Sequence, residues 1–333
     1  MHALKFLTRF AVLGLVSFYD SGCAQEAKPF AGLTFHAAPK ALPAGAITAD
    51  WPHFLGPKHD ATTSETKLLG VWPAGGPKKI WELTTGEGYA CPVFSAGRLV
   101  YFHRVDGKET VDCLDPETGR RFWRFDTPVA YQDRYGFSPG PRSSAVIDGD
   151  RIYVAGVTAL LPCLDLKTGK LLWRRDLTAD YQIPQYFFGY GPTPFVWKDR
   201  VIVNVGGKAR DGTSGTCVAA FDKLTGKTLW EVEDTWGASY ASPIVSTIRG
   251  REVALVIAAG DSRPSAGGLL TIDPQTGKVY DRFVEDVTGV SLYGDPETFE
   301  ISSETVKQMA IDLEETEWRD SYIQNYDIEE EEF

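Results

Sequence analysis

A fourfold internal repeat constrains the fold of this chain more than any other feature of its sequence. The copies share the pattern apolar-x-apolar-Asp-x-x-Thr-Gly-basic-x-apolar-aromatic. They read VDCLDPETGRRFW ending at Trp123, LPCLDLKTGKLLW ending at Trp173, VAAFDKLTGKTLW ending at Trp230, and LLTIDPQTGKVY ending at Tyr280. Successive copies end 50, 57 and 50 residues apart. A repeat of this length predicts stacked structural units of one kind.

A second element precedes each copy. It consists of a short apolar run, a turn rich in Gly and Asp, and another apolar run. The four examples of this element begin at Cys91, Ser143, Thr193 and Ser242. Every period therefore holds four short strands, whose apolar residues alternate with a period of two. We expect the complete units at about 85–127, 138–177, 190–233 and 239–283. A four-stranded sheet cannot bury both of its faces alone, so the units must stack around an axis.

The fixed letters of the repeat have mechanical roles. The Asp carboxylate can accept backbone N–H groups and open a tight turn, and the Gly can supply the positive φ that closes the hairpin. The turn positions are Asp115, Asp165, Asp222 and Asp273, with Gly119, Gly169, Gly226 and Gly277. The aromatic residue that follows is expected to dock against the neighbouring unit. These docking residues are Trp81 in the earlier run KKIWEL, Trp123, Trp173, Trp230 and Tyr280.

From about Trp51 to Tyr280 the chain resembles the tryptophan-docking repeats of PQQ-like (pyrroloquinoline quinone-like) propellers, the family that contains quinoprotein alcohol dehydrogenases and the outer-membrane assembly factor BamB. WPHFLGP, GEGYACP, YGFSPGPRSSAV, FFGYGPTP and NVGGK are similar to a branch of PQQ-binding-like repeat proteins. WD40 repeats are disfavoured because the aromatic residue is never followed by Asp. The resemblance implies an all-β propeller of four-stranded antiparallel blades.

The four units predict an incomplete ring. We expect residues 1–24 to be a signal peptide, 25–50 a linker, 51–284 the propeller repeats, and 285–333 an acidic, partly helical tail that forms no blade. The strand of Trp81 is expected to find its partners at the C-terminus. Either a small ring is closed by an unusual element, or the chain is a truncated or rearranged version of a longer protein, which we favour.

The formal net charge of −11 is concentrated at the C-terminus. Residues 281–333 contain 17 Asp and Glu against three Lys and Arg, so the remainder is nearly neutral. No basic stripe points to a nucleic acid.

The N-terminus predicts export to the periplasm or the extracellular space. Lys5 and Arg9 precede a short apolar run at 10–18, and Gly22-Cys23-Ala24 fits a cleavage site. A lipoprotein anchored through Cys23 is the rival, but Asp20 stands where an apolar residue is wanted. No other apolar run approaches the length of a membrane span. The four remaining cysteines follow the repeat, and we expect them to be reduced.

The resemblance raises the question of a quinone cofactor, which the family's enzymes hold with Ca²⁺, a stacking Trp and a disulfide between adjacent cysteines. This chain has no adjacent cysteine pair and no C-x-x-C-H haem motif. Trp236 could stack on one side, and nothing marks a second wall. We therefore predict no catalytic residue, no metal and no cofactor, with an oxidoreductase whose site is incomplete, binding quinone with Ca²⁺, as the alternative.

The loops between units are rich in Gly and aromatic residues, and all should emerge on one face near the axis. We predict that this face binds an envelope or secreted protein, a peptide or a glycan, and that the protein is a non-catalytic binding or scaffold propeller. The rival view is that these aromatic residues wedge between units. The candidate binding residues are Tyr89, Arg134, Tyr135, Phe137, Arg142, Tyr190, Lys208, Trp236 and Tyr240.

Overall fold

The computed structural model describes residues 27–184, 187–207, 215–259 and 266–286. In these residues, four sheets each contain four consecutive antiparallel strands, and a fifth sheet contains two strands. This architecture confirms the all-β propeller expected from the repeat. We call the four-stranded sheets blades 1 to 4.

The two-stranded sheet consists of β1 (Leu33–Phe35) and β2 (Trp81–Leu83). Blade 1 contains β3 (Val93–Ser95), β4 (Arg98–Val105), β5 (Lys108–Leu114) and β6 (Arg121–Pro128). Blade 2 contains β7 (Val146–Asp148), β8 (Arg151–Tyr153), β9 (Leu160–Asp165) and β10 (Leu171–Asp176). Blade 3 contains β11 (Phe195–Trp197), β12 (Arg200–Asn204), β13 (Gly215–Asp222) and β14 (Thr228–Asp234). Blade 4 contains β15 (Ile244–Ile248), β16 (Arg251–Ala259), β17 (Ala266–Ile272) and β18 (Val279–Asp286).

A single short helix, α1 (Leu177–Tyr181), interrupts the strands of the described part. The carboxylate of Asp176 caps it by accepting the Ala179 N–H at 3.0 Å. None of the described helices is long and apolar enough to cross a membrane.

The hydrophobic core is divided among the interfaces between neighbouring blades. One cluster joins blades 1 and 2, a second joins blades 2 and 3, and a third joins blades 3 and 4. The buried thiols of Cys113, Cys163 and Cys217 lie in these clusters as small apolar groups. The first strands of successive blades, β3, β7, β11 and β15, lie next to one another. The repeat therefore stacks laterally, as an array of blades requires.

One contact recurs at the interfaces. The indole N–H at the end of one unit donates to the carbonyl that follows the repeat Asp of the next. Trp81 reaches Pro116 at 2.9 Å, Trp123 reaches Leu166 at 3.0 Å, Trp173 reaches Lys223 at 3.0 Å, and Trp230 reaches Pro274 at 3.1 Å. Each ring also covers the repeat Gly of the receiving turn. Tyr280 differs, because no blade beyond blade 4 is described. Its ring lies under the Arg251 guanidinium, at 4.9 Å.

The strand order gives the blades two distinct ends. Inter-blade loops enter at one end, which also carries the turns between second and third strands. We call this the loop face. The opposite end, the turn face, carries the Asp-x-x-Thr-Gly turns and the turns between first and second strands.

The Trp81 strand has one partner that we did not expect, and the C-terminal residues expected to supply its partners lie outside the described part. In the described residues β2 pairs with β1, and Phe35 lies opposite Trp81. Strand β1 belongs to the stretch that we expected to be a linker, and not to the C-terminus. It is only three residues long and lies outside the repeat pattern, so it has no periodic signal in the sequence.

Residues 51–59 lie across the first strands of three blades. Trp51 exchanges two backbone hydrogen bonds with Phe94 of β3, at 2.7 and 2.8 Å, and Pro52 accepts the Ile147 N–H of β7 at 3.0 Å. The ring of His59 packs 4.7 Å from that of Phe195 in β11. Burial of His59, with His53 beside it, lowers its pKa to about 4. The segment therefore joins these blades, and His59 packs there as an uncharged ring at neutral pH.

Candidate binding surface

The loop between blades 1 and 2 is rich in Pro and Gly, so it forms no strand and is held by side chains. Asp133 accepts the backbone N–H groups of Tyr135 at 2.9 Å and Phe137 at 3.1 Å. Arg142 donates to Asp133 at 2.9 Å and to the carbonyls of Ser138, at 2.6 Å, and Gly140. Burial acts to raise the pKa of the Asp133 carboxyl, but these backbone donors and Arg142 lower it. The Asp133 and Arg142 side chains therefore hold the backbone of this loop together.

A second cation holds the same loop from blade 1. The guanidinium of Arg104, at the end of β4, donates to the Tyr131 carbonyl at 2.8 Å and to the Pro139 carbonyl at 2.9 Å. Its backbone also pairs with Glu87 in the preceding inter-blade loop. Two neighbouring loops of the loop face are thus fixed to one strand.

The aromatic rings of three loops form a continuous chain of contacts. Tyr135 stacks on Phe187 with ring centres 3.7 Å apart. Phe188 then meets Phe187 at 4.6 Å, Phe137 at 5.4 Å and Tyr240 at 5.7 Å. Tyr89 joins through its hydroxyl, which accepts the Ser138 N–H at 3.2 Å. We call these six residues the aromatic loop surface: Tyr89, Tyr135, Phe137, Phe187, Phe188 and Tyr240.

Most of these rings are open to solvent although they touch one another. Tyr89, Tyr135 and Phe137 are 52–55% exposed, and Tyr240 is 42% exposed. The Tyr240 hydroxyl accepts the Phe188 N–H at 2.9 Å, so that ring is held at its polar end. Amphipathic rings that are fixed at one end and exposed on the other suit an interface. Arg134 is exposed beside them.

Two of the predicted surface residues belong to the core. Tyr190 is 3% exposed and donates its hydroxyl to the Asn204 carbonyl at 2.9 Å, and Trp236 is 2% exposed. The Arg282 guanidinium covers the Trp236 ring at 3.5 Å and forms a two-pronged ion pair with Asp234. These two aromatic residues wedge between blades and do not face solvent. Arg142 acts inside its loop, and Lys208 lies outside the described residues.

Sequence reasoning passed over Phe187 and Phe188 as binding residues. Both stand in the run QYFFGYG that was recognised as an inter-blade loop, and Gly189 in the same run has a φ of 75°. A Gly that turns the chain just after two adjacent aromatics was the available signal. The order within the run does not reveal that Tyr190 points inward while Phe187 is exposed.

The described part of this surface contains no cluster of metal-ligating side chains. Among the described residues, no three His, Cys, Asp or Glu side chains lie close enough together to hold a metal ion. The cysteines of the described part are unpaired, and Cys113, Cys163 and Cys217 are buried. Burial raises the thiol pKa of each, to about 12, about 11 and about 12.

The blade architecture and the Trp contacts define a tryptophan-docked β-propeller with PQQ-like repeats. The family model described as "Outer membrane protein assembly factor BamB" matches residues 107–327, about two thirds of the chain. The chain belongs to this family. No curated protein matches it.

Three solved structures show what the fold is similar to. Quinohemoprotein alcohol dehydrogenases from Pseudomonas putida and Comamonas testosteroni are 18% and 21% identical, with TM-scores of 0.45 and 0.44. BamB from Moraxella catarrhalis is 16% identical, with a TM-score of 0.33. Each match covers 60% of this chain, and 34%, 35% and 64% of the respective relative. The chain thus matches about a third of either dehydrogenase's length. Its family membership rests on the match to the BamB family model.

Proposed function

We propose that this chain is a non-catalytic binding propeller that works outside the cytoplasm. Its aromatic loop surface would hold an envelope or secreted protein, a peptide or a glycan. The observation that carries this proposal is the chain of ring contacts that links the exposed Tyr135, Phe187 and Tyr240 through the half-buried Phe188. It joins three inter-blade loops into one surface.

The fixed loops favour binding for an energetic reason. Ordering a flexible side chain on binding costs about 0.5–1.5 kcal/mol, and a surface that is already ordered avoids that cost. Asp133, Arg142 and Arg104 hold the backbone on which Tyr135 and Phe137 stand. Large rings of this kind dominate the energy of protein interfaces. The polypeptide is the partner class that we favour, because ring faces accept apolar side chains and the loop carbonyls and hydroxyls lie beside them.

The oxidoreductase alternative has less support from the residues. A quinone needs a flat slot with a stacking group on each side. The one candidate stacking group, Trp236, is buried and covered by Arg282. Adjacent cysteines are absent from the sequence. These residues do not fit the cofactor, so we derive no redox step for this chain.

Site-specific photocrosslinking tests the binding proposal. A photoreactive amino acid placed at Tyr135 or Tyr240 samples the aromatic loop surface. The same group at Leu224, which is exposed in the Asp-x-x-Thr-Gly turn of blade 3, is the matched control. In intact cells we expect a discrete crosslinked product from the two loop positions and none from the control. Equal crosslinking from all three positions, or none from any, would contradict the proposal.

A separate titration addresses the alternative. The purified protein is mixed with pyrroloquinoline quinone and Ca²⁺, and alcohol oxidation is followed with a coupled dye. We expect neither saturable absorbance changes nor turnover. Turnover together with micromolar binding would replace the binding proposal with the oxidoreductase.

A further inference from the structure

A second exposed surface lies in the N-terminal part of the described chain, away from the loop face. Its apolar residues come from two segments, 40–49 and 66–79. We call it the N-terminal apolar surface, and its members are Leu42, Ile47, Leu68, Leu69, Val71 and Trp72. They are 55–85% exposed, with Val71 the most exposed of all. Single exposed apolar residues are ordinary, but four within five consecutive positions are not.

The two segments are held together by hydrogen bonds. Ile47 and Thr66 exchange two of them: the Ile47 N–H donates to the Thr66 hydroxyl at 3.0 Å, and the Thr66 N–H donates to the Ile47 carbonyl at 3.1 Å. The ammonium group of Lys67 donates to the Ala44 carbonyl. These bonds hold residues 44–47 of one segment against residues 66–67 of the other.

Lysines are the only charged residues within the two segments. Residues 40–49 and 66–79 contain Lys40, Lys67, Lys78 and Lys79 and no Asp, Glu or Arg. Lys79 pairs with the bordering Glu82 at 2.6 Å. The other bordering carboxylates are Asp50, which accepts from Ser95 at 2.7 Å, and Glu65, which accepts the Ala49 N–H at 3.4 Å. The surface thus combines exposed Leu, Val and Trp with an excess of ammonium groups.

We propose that the N-terminal apolar surface docks on an anionic lipid bilayer. Apolar side chains with Trp enter the interface between headgroups and acyl chains, and lysines at the rim are attracted to anionic headgroups. The four lysines of the two segments favour a negatively charged partner over a neutral one. Asp50 attaches the surface to the turn of blade 1 at the turn face. A bilayer bound at this surface would therefore lie on the turn-face side, and the aromatic loop surface would lie at the opposite end of the blades.

Vesicle co-sedimentation tests the proposal with the exported protein, after mass measurement has shown that residues 1–24 are gone. Vesicles of phosphatidylcholine are compared with vesicles of equal phosphatidylcholine and phosphatidylglycerol, at about 0.02 M and about 0.3 M salt. We expect binding to the anionic vesicles that weakens with salt, and little binding to the neutral ones. The absence of binding to anionic vesicles at low salt would overturn the proposal.

Three double variants locate the contact. Lys40→Gln with Lys78→Gln removes two exposed cations and should weaken binding about 30-fold at low salt, at about fivefold per lysine. Leu69→Ser with Trp72→Ser should weaken it at least about 10-fold. The matched control is Leu224→Ser with Lys227→Gln, an exposed apolar residue and an exposed cation in blade 3, and it should bind as the parent does. Equal losses in all three would overturn the assignment.

Analytical ultracentrifugation separates lipid docking from the rival occupants. The parent protein should remain monomeric without vesicles. A dimer that Leu69→Ser with Trp72→Ser dissociates would assign the surface to a second copy of the chain and overturn the lipid proposal. The urea unfolding curve of each variant should match that of the parent, because the substituted side chains are exposed.

Discussion

The two ends of the blades differ in how their aromatic residues are used. At the turn face, indoles from successive units make the same contact four times, each with a turn carbonyl and a Gly in the next unit. At the loop face, the inter-blade loops differ in length and sequence, and their rings contact one another while remaining exposed. The indole contact recurs once per repeat because it holds neighbouring blades together. The aromatic residues of the inter-blade loops do not follow the repeat, which is consistent with a role other than blade stacking.

The sharpest test of this division is to remove one ring from each end. Trp123 is 6% exposed and fills the interface between blades 1 and 2. Trp123→Ala should lower the free energy of unfolding by about 3–5 kcal/mol. Tyr135→Ala, at an exposed ring, should lower it by less than about 1 kcal/mol. Urea unfolding measures both, and similar losses at the two positions would erase the distinction between the faces.

The docking Trp residues also differ in how deeply they are buried, so their substitutions should differ in their effect on stability. Trp123 and Trp230 are buried, whereas Trp81 and Trp173 are half-buried. The Ala substitutions should therefore cost more at 123 and 230 than at 81 and 173. The reverse order would mean that the indole hydrogen bond, common to all four, outweighs apolar burial.

The interface between blades 1 and 2 also contains a buried carboxyl, near its loop-face end. Burial raises the pKa of Glu109 to about 7, although the Val157 N–H, Arg104 and Arg142 oppose the rise. A carboxyl whose pKa is raised on folding binds its proton more tightly in the folded state. Stability contributed by this proton is present below the unfolded pKa and is lost as pH rises toward 7.

The variant Glu109→Gln should remove this pH dependence. Relative to the parent, it should gain roughly 2–3 kcal/mol more in unfolding free energy at pH 8 than at pH 5. Urea titrations at the two pH values provide the measurement. A gain or loss that is the same at both would show that Glu109 does not titrate between them.

Glycine substitutions sharpen the comparison further. Gly169 has a φ of 71°, and a Cβ there would lie 2.5 Å from the Trp123 ring. Gly149 has a φ of 58° and open space around the same position. Both Ala variants pay the cost of positive φ, but only Gly169→Ala must also displace an indole. We expect it to be about 1–3 kcal/mol more destabilising than Gly149→Ala. Equal losses would show that ring contact contributes little.

The smallest expected effect concerns the thiols. Cys91 is half-buried, and burial raises the pKa of Cys113, Cys163 and Cys217. A thiol reagent should modify Cys91 alone in the folded protein and all four of these residues after denaturation, with no effect of a reductant on stability. Two or fewer thiols in the denatured protein would reveal a disulfide.

Features that depend on residues close together in the sequence could be predicted, and features that depend on distant residues could not. The turns at Asp115 and Asp165 are local. Asp115 accepts the N–H two residues on, from Glu117, as expected, and both carboxylates also accept the N–H of the Thr three residues on. Sixteen strands of the four blades follow from the same periodicity. Strand β1 could not be predicted, because its partner is about fifty residues away and β1 itself lies outside the repeat.

The candidate site was predicted at the level of loops and not of side chains. Tyr135, Phe137 and Tyr240 are exposed as expected, whereas Tyr190 and Trp236 are buried. Which ring points inward depends on contacts between an inter-blade loop and a strand of the following blade, such as Tyr190 with Asn204 and Trp236 with Arg282. No local pattern encodes these contacts, because the two residues of each pair are far apart in the sequence.

The measurement that tests the central claim most directly is the affinity of the crosslinked partner for the parent and for Tyr135→Ala with Phe187→Ala. The stacked pair lies at the centre of the aromatic loop surface, so its removal should weaken binding by about 30-fold or more. The unfolding free energy should stay within about 1 kcal/mol of the parent value. Unchanged affinity in a correctly folded double variant would contradict the claim that this surface binds the partner.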